Sequence, residues 1–139
     1  MKTLKSLCIL GLFVFTVVFT NAQAISTKFV LNFPYGIPVV CDGVEDILIG
    51  EYGTIEFHVV EFFDKNNQLK WHKNMGHNTV KSQNTGEVFK VHEINKGNFK
   101  DGIWTFHYNM IGCWGTHIHL KGKAIVPGFE IVEEEIICK

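Results

Sequence analysis

The chain of 139 residues is long enough for one domain. Its 46% hydrophobic and 19% charged residues exclude a disordered chain, and its formal net charge of −1 excludes a strongly basic protein. It contains 12 Phe and 13 Gly but only three Ala and no Arg, a composition that favours strands over helices. We therefore expect a small all-β domain rather than a helical bundle.

The first segment, residues 1–24, has the pattern of an export signal. Two lysines precede an apolar run over residues 7–20, and the sequence Asn-Ala-Gln-Ala ends it at Ala24. The run is shorter than the roughly 20 residues of a membrane-spanning helix. We therefore expect a signal peptide that is cleaved, with an uncleaved anchor as the alternative. The mature chain, 25–139, is then a single β domain without a membrane span, secreted or periplasmic.

The expected mature chain is slightly acidic. Removing residues 1–24 leaves 11 Lys against 14 acidic residues, a net charge of −3 with His neutral. Nucleic-acid-binding proteins carry basic patches and use Arg to contact phosphates and guanine. The acidic balance and the missing Arg therefore predict no nucleic-acid partner.

Turn signals rich in Gly, Asn, Asp and Pro recur about every 10–15 residues, a spacing that is typical of the strands in a β-sandwich or barrel. We predict one antiparallel β-barrel or sandwich of about eight strands, with a turn at Tyr35 and Gly36. The predicted extended segments, in chain order, are 27–33, 45–51, 54–63, 68–74, 79–83, 87–94, 103–111, 115–126 and 129–138.

The two segments 103–111 and 115–126 form the clearest hairpin. Even-numbered residues are mostly apolar in both, and strand side chains alternate between the two faces of a sheet. A three-residue loop over 112–114 matches the apolar faces, because it places Tyr108 opposite Ile118. The same register places His107 opposite His119.

Three histidines make the strongest candidate metal site. His117 and His119 are spaced so that both imidazoles lie on one strand face, about 7 Å apart. His107 on the neighbouring strand would complete a set suited to zinc or another transition metal. Lys121 and Lys123 share this face and oppose a dication, so a solvated polar face is the competing interpretation. We predict no cofactor and keep a metal-dependent barrel enzyme as the alternative function.

Four aromatic residues are candidates for ligand binding: Trp71, Trp104, Tyr108 and Trp114. They supply more aromatic area than a small core needs, and a small barrel can enclose one ligand. We predict a small apolar or carbohydrate ligand, with ordinary core packing as the alternative. No nucleophile elbow or Gly-rich phosphate loop is present, so the sequence favours a non-enzymatic binding module and leaves the oligomeric state open.

The mature chain holds three cysteines, and in an oxidising compartment an odd number suggests one disulfide and one spare thiol. Three pairings are open, as is a set of three buried thiols. We favour Cys41–Cys138, because this bridge would join the start of the domain to its last strand. It closes a loop for which the chain-entropy model gives about 4–5 kcal/mol at most.

Five short segments suggest a family. They are Val-Val-Cys-Asp-Gly-Val-Glu at 39–45, Ile-Gly at 49–50, Phe-His-Val at 57–59, His-Leu-Lys-Gly-Lys at 119–123 and the closing Cys-Lys at 138–139. Together they resemble a family of small secreted bacterial proteins of unknown function, over most of residues 39–139. Three residues depart from the family's pattern. Glu45 lies one position later than the family's glutamate, Glu61 occupies the position of a family histidine, and Cys113 has no counterpart in the family. The resemblance implies a secreted β-barrel-like domain and the Cys41–Cys138 bridge, and it implies no activity.

Overall fold

The computed structural model describes residues 22–31, 35–50 and 55–139, so residues 1–21 of the predicted signal peptide lie outside the described residues. Within the described ranges the chain forms nine antiparallel strands and no helix, which confirms the predicted all-β class. The strands are β1 (Gln23–Leu31), β2 (Tyr35–Cys41), β3 (Val44–Gly50), β4 (Ile55–Phe63), β5 (Leu69–Ser82), β6 (Val88–Asn98), β7 (Ile103–Gly112), β8 (His117–Ile125) and β9 (Glu130–Cys138).

All nine strands belong to one open sheet. Its main path runs β1-β4-β5-β6-β7-β8-β9, and the β2–β3 hairpin joins through β3 to the last residues of β5. The first part of β5, from Leu69 to His77, pairs with β4 instead. Strand β5 therefore holds two separate branches on one edge and β6 on the other. In the described ranges no ladder joins β9 to β2, so the sheet is not a closed barrel.

A disulfide links the two strands that flank the opening of the sheet. Cys41 ends β2 and Cys138 ends β9, and their Cα atoms lie 5.7 Å apart. The predicted Cys41–Cys138 pairing is confirmed, and Cys113 is a free, exposed thiol. The bridge joins residues 97 positions apart in the sequence, and it fixes together two strands that no backbone ladder joins in the described ranges.

One face of the sheet carries the core and is called the inner face here. Strand β6 shows the alternation, because Phe89 and Val91 are buried whereas Lys90 and His92 are exposed. Burying a Leu, Val, Ile, Phe or Met side chain contributes about 1.5–3 kcal/mol. Tyr35 packs against both the main core and a smaller cluster. The buried core residues are Ile37, Val39, Leu48, Val80, Phe89, Val91, Met110, Ile118 and Leu120.

The β7–β8 hairpin matches apolar to apolar residues as expected, but the predicted register is wrong by two residues. Tyr108 lies opposite Leu120, and His107 lies opposite Lys121 rather than His119. A shift of two residues keeps every side chain on its face, because the side-chain period of a strand is two. The faces were therefore predicted correctly while the partners were not.

The conformation of the hairpin loop explains the shift. The N–H of Gly112 donates to the carbonyl of Thr116 at 2.7 Å, so the three loop residues begin one position later than predicted. Gly115 has a φ of 97°, and a three-residue hairpin loop ends in this left-handed conformation, which glycine adopts most readily. The buried Glu87 holds the loop by accepting from the Trp114 N–H and the Thr116 hydroxyl, both at 2.8 Å.

The predicted turn at Tyr35 and Gly36 is wrong, because both residues begin strand β2. Proline is rare within strands because it cannot donate to the ladder, and Pro38 lies in the middle of this one. Strand β2 pairs only with β3 in the described ranges. It is an edge strand, where proline is tolerated.

The predicted strands 68–74 and 79–83 are wrong as separate elements, because they form the single 14-residue strand β5. Gly76 lies at its centre, where a glycine usually suggests an interruption. Here it makes room for its neighbours, since a Cβ atom would stand 2.7 Å from Cγ of Glu93.

Candidate functional site

A pocket of about 360 Å³ lies on the inner face between β2 and the strands β7, β8 and β9, and is called the inner pocket here. Most of its lining is apolar, and this is the part of the sheet where β2 and β9 approach each other. The polar lining residues are few: Tyr35, Asn95, Tyr108 and Glu134. The apolar lining includes Ile37, Phe106, Leu120, Ala124, Phe129 and Ile131.

Strand β7 forms an aromatic wall of the inner pocket. Trp104, Phe106 and Tyr108 occupy alternate positions, so all three side chains lie on the inner face. The Trp104 ring meets the edge of Phe129, with 5.5 Å between centroids, and its centroid lies 5.4 Å from that of His72. These ring contacts hold the indole at the pocket.

Polar side chains are buried next to this aromatic wall. Glu93 and Asn95 follow each other on the inner face of β6 and are 3% and 5% exposed. The Asn95 side-chain N–H donates to a Glu93 carboxylate oxygen at 3.1 Å. Within the described residues neither the remaining Asn95 oxygen, Oδ1, nor the Tyr35 hydroxyl makes a hydrogen bond of normal length, although the Asn78 amide lies close enough to Tyr35 to lower the pKa of its hydroxyl. Buried polar atoms are nearly always paired, so these atoms point to a missing partner.

Burial controls the ionisation of this polar group. It raises the pKa of Glu93 to about 7, against the smaller opposing effects of the Asn95 hydrogen bond and the neighbouring Asn78 amide. Burial also raises the pKa of Tyr35 and Tyr108, and the negative charge of Glu93 adds to both shifts. Both tyrosines are therefore neutral hydroxyls at physiological pH.

No cationic side chain forms an ion pair with Glu93 among the described residues. The ion pairs among the described residues involve Glu56, Asp64, Glu61, Glu135 and Glu133, all away from this carboxylate. An ionised carboxylate in a buried site is costly unless a cation or several donors compensate it. Glu93 receives one such donor at hydrogen-bond distance, from Asn95, and a smaller stabilising effect from the neighbouring Asn78 amide.

The structure brings together two of the four predicted ligand-binding residues. Trp104 and Tyr108 both line the inner pocket. Trp71 instead stacks on Phe62, with centroids 5.6 Å apart, and lines a separate depression among lysines. Trp114 lies in the β7–β8 loop and is 67% exposed.

The predicted metal-binding histidines lie on the opposite, outer face of the sheet. His107 and His117 are exposed, and His119 is half-buried opposite Asn109. Because His107 faces Lys121 instead of His119, the three imidazoles are not brought together as the predicted register required. The described part of the chain contains no group of three or more potential ligands able to hold a metal ion.

Sequence reasoning missed the buried polar residues Glu93, Asn95 and Asn78. A signal was present in the alternation of β6, because Phe89 and Val91 are apolar at odd positions. Extending that alternation places residues 93 and 95 on the same face. The polar character of those two residues concealed the continuity of the strand.

Comparison of the chain with protein-family models, curated proteins and solved structures found no match. The family suggested by the short motifs therefore stays a prediction. No helix in the described ranges has the length and apolar character needed to cross a membrane.

Proposed function

We propose that this protein binds a small, mostly apolar molecule in the inner pocket and acts as a binding protein rather than an enzyme. Ligand pockets are typically about 300–1,000 Å³, mostly apolar, with a few polar groups that orient the ligand. The inner pocket fits this description. The observation that carries the proposal is a pair of buried atoms, Asn95 Oδ1 and the Tyr35 hydroxyl, which line an apolar pocket and lack a hydrogen bond of normal length within the described residues.

An apolar ligand suits the pocket better than a carbohydrate. Each buried hydroxyl of a sugar needs a hydrogen-bond partner, because an unpaired one loses its hydration without compensation. The lining offers only four polar side chains, and one of them, Glu134, is exposed. A ligand with an apolar body and one polar end makes better use of these groups.

We also propose that the protein works in an oxidising, exported compartment. The Cys41–Cys138 disulfide supports this, because disulfides persist mainly in secreted and periplasmic proteins. The export-signal pattern over residues 1–24 supports it independently.

A fluorescence titration with the neutral apolar dye N-phenyl-1-naphthylamine tests the binding function. We expect saturable binding to one site, and Trp104→Ala to weaken it about tenfold or more, since buried aromatic residues dominate such sites. Trp114→Ala is the matched control, because Trp114 is exposed and remote from the lining. Failure of the dye to bind, or equal losses in the two variants, would refute the proposal.

A further inference from the structure

We propose that the inner pocket selects a ligand carrying an organic ammonium group, held between the aromatic side chains and close to Glu93. This inference rests on the proposed function and deepens it by naming the chemical class of the ligand. Four observations support it: the sign of the charge, the placement of the rings, the free acceptor and the uncompensated carboxylate.

The charge in the pocket lining is negative, and the nearest imidazole, that of His72, lies outside the lining against Trp104. Glu134 is the only charged residue in the lining, and neither lysine nor histidine contributes to it. Glu93 stands next to Asn95 behind the lining, where it acts electrostatically on both Tyr35 and Tyr108. A cleft with acidic residues and apolar walls concentrates the field and attracts cations.

Aromatic rings come from three separate elements. Strand β7 contributes Trp104, Phe106 and Tyr108, strand β2 contributes Tyr35, and Phe129 comes from the segment before β9. The rings are not parallel, since Phe106 and Tyr108 are inclined by 55° and Trp104 and Phe129 by 70°. The negative faces of aromatic rings attract ammonium groups, and sets of such rings are a known solution for quaternary ammonium ligands.

The hydrogen-bonding atoms also favour a cation. One of the two Asn95 side-chain N–H groups donates to Glu93, and the oxygen Oδ1 of that amide makes no hydrogen bond of normal length within the described residues. An acceptor next to a carboxylate repels anions and favours a group that donates or is positively charged. An ammonium ligand would also supply Glu93 with the counter-charge that no residue in the described ranges provides.

Three probes of nearly the same shape separate charge from size: choline, the neutral 3,3-dimethylbutan-1-ol and the anionic 3,3-dimethylbutanoate. Each is used to displace N-phenyl-1-naphthylamine from the unmodified protein. We expect choline to displace the dye at a concentration about tenfold lower than the neutral alcohol, in line with a desolvated cation–π contact. The anion is expected to be the weakest of the three.

Glu93→Gln keeps the shape of the side chain and removes its charge. At pH 8.5, where the Glu93 carboxyl of the unmodified protein is ionised, we expect this variant to lose about tenfold in choline affinity while its affinity for the neutral alcohol stays the same. Glu56→Gln removes a charge from the outer face and is expected to change neither affinity. Thermal melting of each variant checks that it is folded, and the three-probe comparison does not depend on any variant.

The outcomes separate the two proposals. If the dye binds but choline displaces it no better than the alcohol or the anion, the ammonium inference is wrong and the binding function stands. If choline is preferred but Glu93→Gln binds it unchanged, the role of Glu93 is wrong. If the dye itself does not bind, the binding function and the inference both fail.

Discussion

Replacing Glu93 by glutamine should make the protein more stable at alkaline pH. The amide keeps the shape of a protonated carboxyl and never ionises. Glu93 is 3% exposed and lacks an ion pair in the described ranges, so ionising it in the folded protein is unfavourable. The glutamine variant avoids this cost.

The magnitude follows from the pKa of Glu93, which burial raises from 4.5 to about 7. Below pH 4.5 the carboxyl is protonated in both the folded and the unfolded states. In that range the free energies of unfolding of the unmodified protein and of Glu93→Gln should therefore depend on pH in the same way. Between these values the unfolded chain releases its proton and the folded protein keeps it, so the free energy of unfolding falls as the pH rises. At about 1.4 kcal/mol for each pKa unit, the accumulated loss above pH 7 is about 3 kcal/mol.

Urea denaturation followed by tryptophan fluorescence, at several pH values from 4.5 to 8.5, measures this difference. We expect Glu93→Gln to gain up to about 3 kcal/mol relative to the unmodified protein as the pH rises, and to gain nothing further above pH 8. Glu56→Gln, at an exposed glutamate of the outer face, controls for the loss of one negative charge. Parallel stability curves for Glu93→Gln and the unmodified protein would refute this account of the buried carboxyl.

Three further predictions concern the framework around the pocket. Replacing Cys41 and Cys138 together by serine should cost about 4 kcal/mol of unfolding free energy in urea, because the bridge closes a long loop. Gly122→Ala should cost about 2–3 kcal/mol in the same assay, because its Cβ atom would lie 2.3 Å from a backbone carbonyl that cannot move away freely. Glu87→Ala should cost about 2–3 kcal/mol and accelerate hydrogen exchange of the Trp114 amide, because that N–H loses its carboxylate partner.

Each of these predictions has a result that would contradict it. We expect the serine double variant to be as stable as the unmodified protein with its disulfide reduced. If the variant is instead as stable as the oxidised protein, the bridge contributes nothing to stability. Lys121→Ala is the surface control for Gly122→Ala. If both variants lose the same free energy of unfolding, the loss in Gly122→Ala does not come from a steric clash of its Cβ atom. Unchanged exchange at Trp114 in Glu87→Ala would show that the carboxylate does not hold the loop.

The fold class was predictable because strand alternation depends on residue type over a few positions. In β7 and β8 that alternation assigned Tyr108 and Leu120 to the apolar face, where the structure places them. The pairing partners depended on which glycine occupies the left-handed position of the loop. The sequence offers both Gly112 and Gly115, and the three-residue loop requires the second.

The candidate site was harder to predict because it depends on contacts between distant segments. Trp104 and Tyr108 were correctly grouped as aromatic candidates, but the other wall of the pocket comes from β2, which begins at the predicted turn of Tyr35. Glu93 and Asn95 look like surface residues in the sequence, because burial of polar side chains depends on what the rest of the sheet places around them.

The most direct test of the account is a nitrogen-15 NMR titration with N-phenyl-1-naphthylamine, followed at the indole N–H signals of the three tryptophans. If the inner pocket is the binding site, the Trp104 signal shifts saturably while the signals of Trp71 and Trp114 stay in place. A stationary Trp104 signal, or a shift confined to Trp71 or Trp114, would contradict the assignment of the pocket.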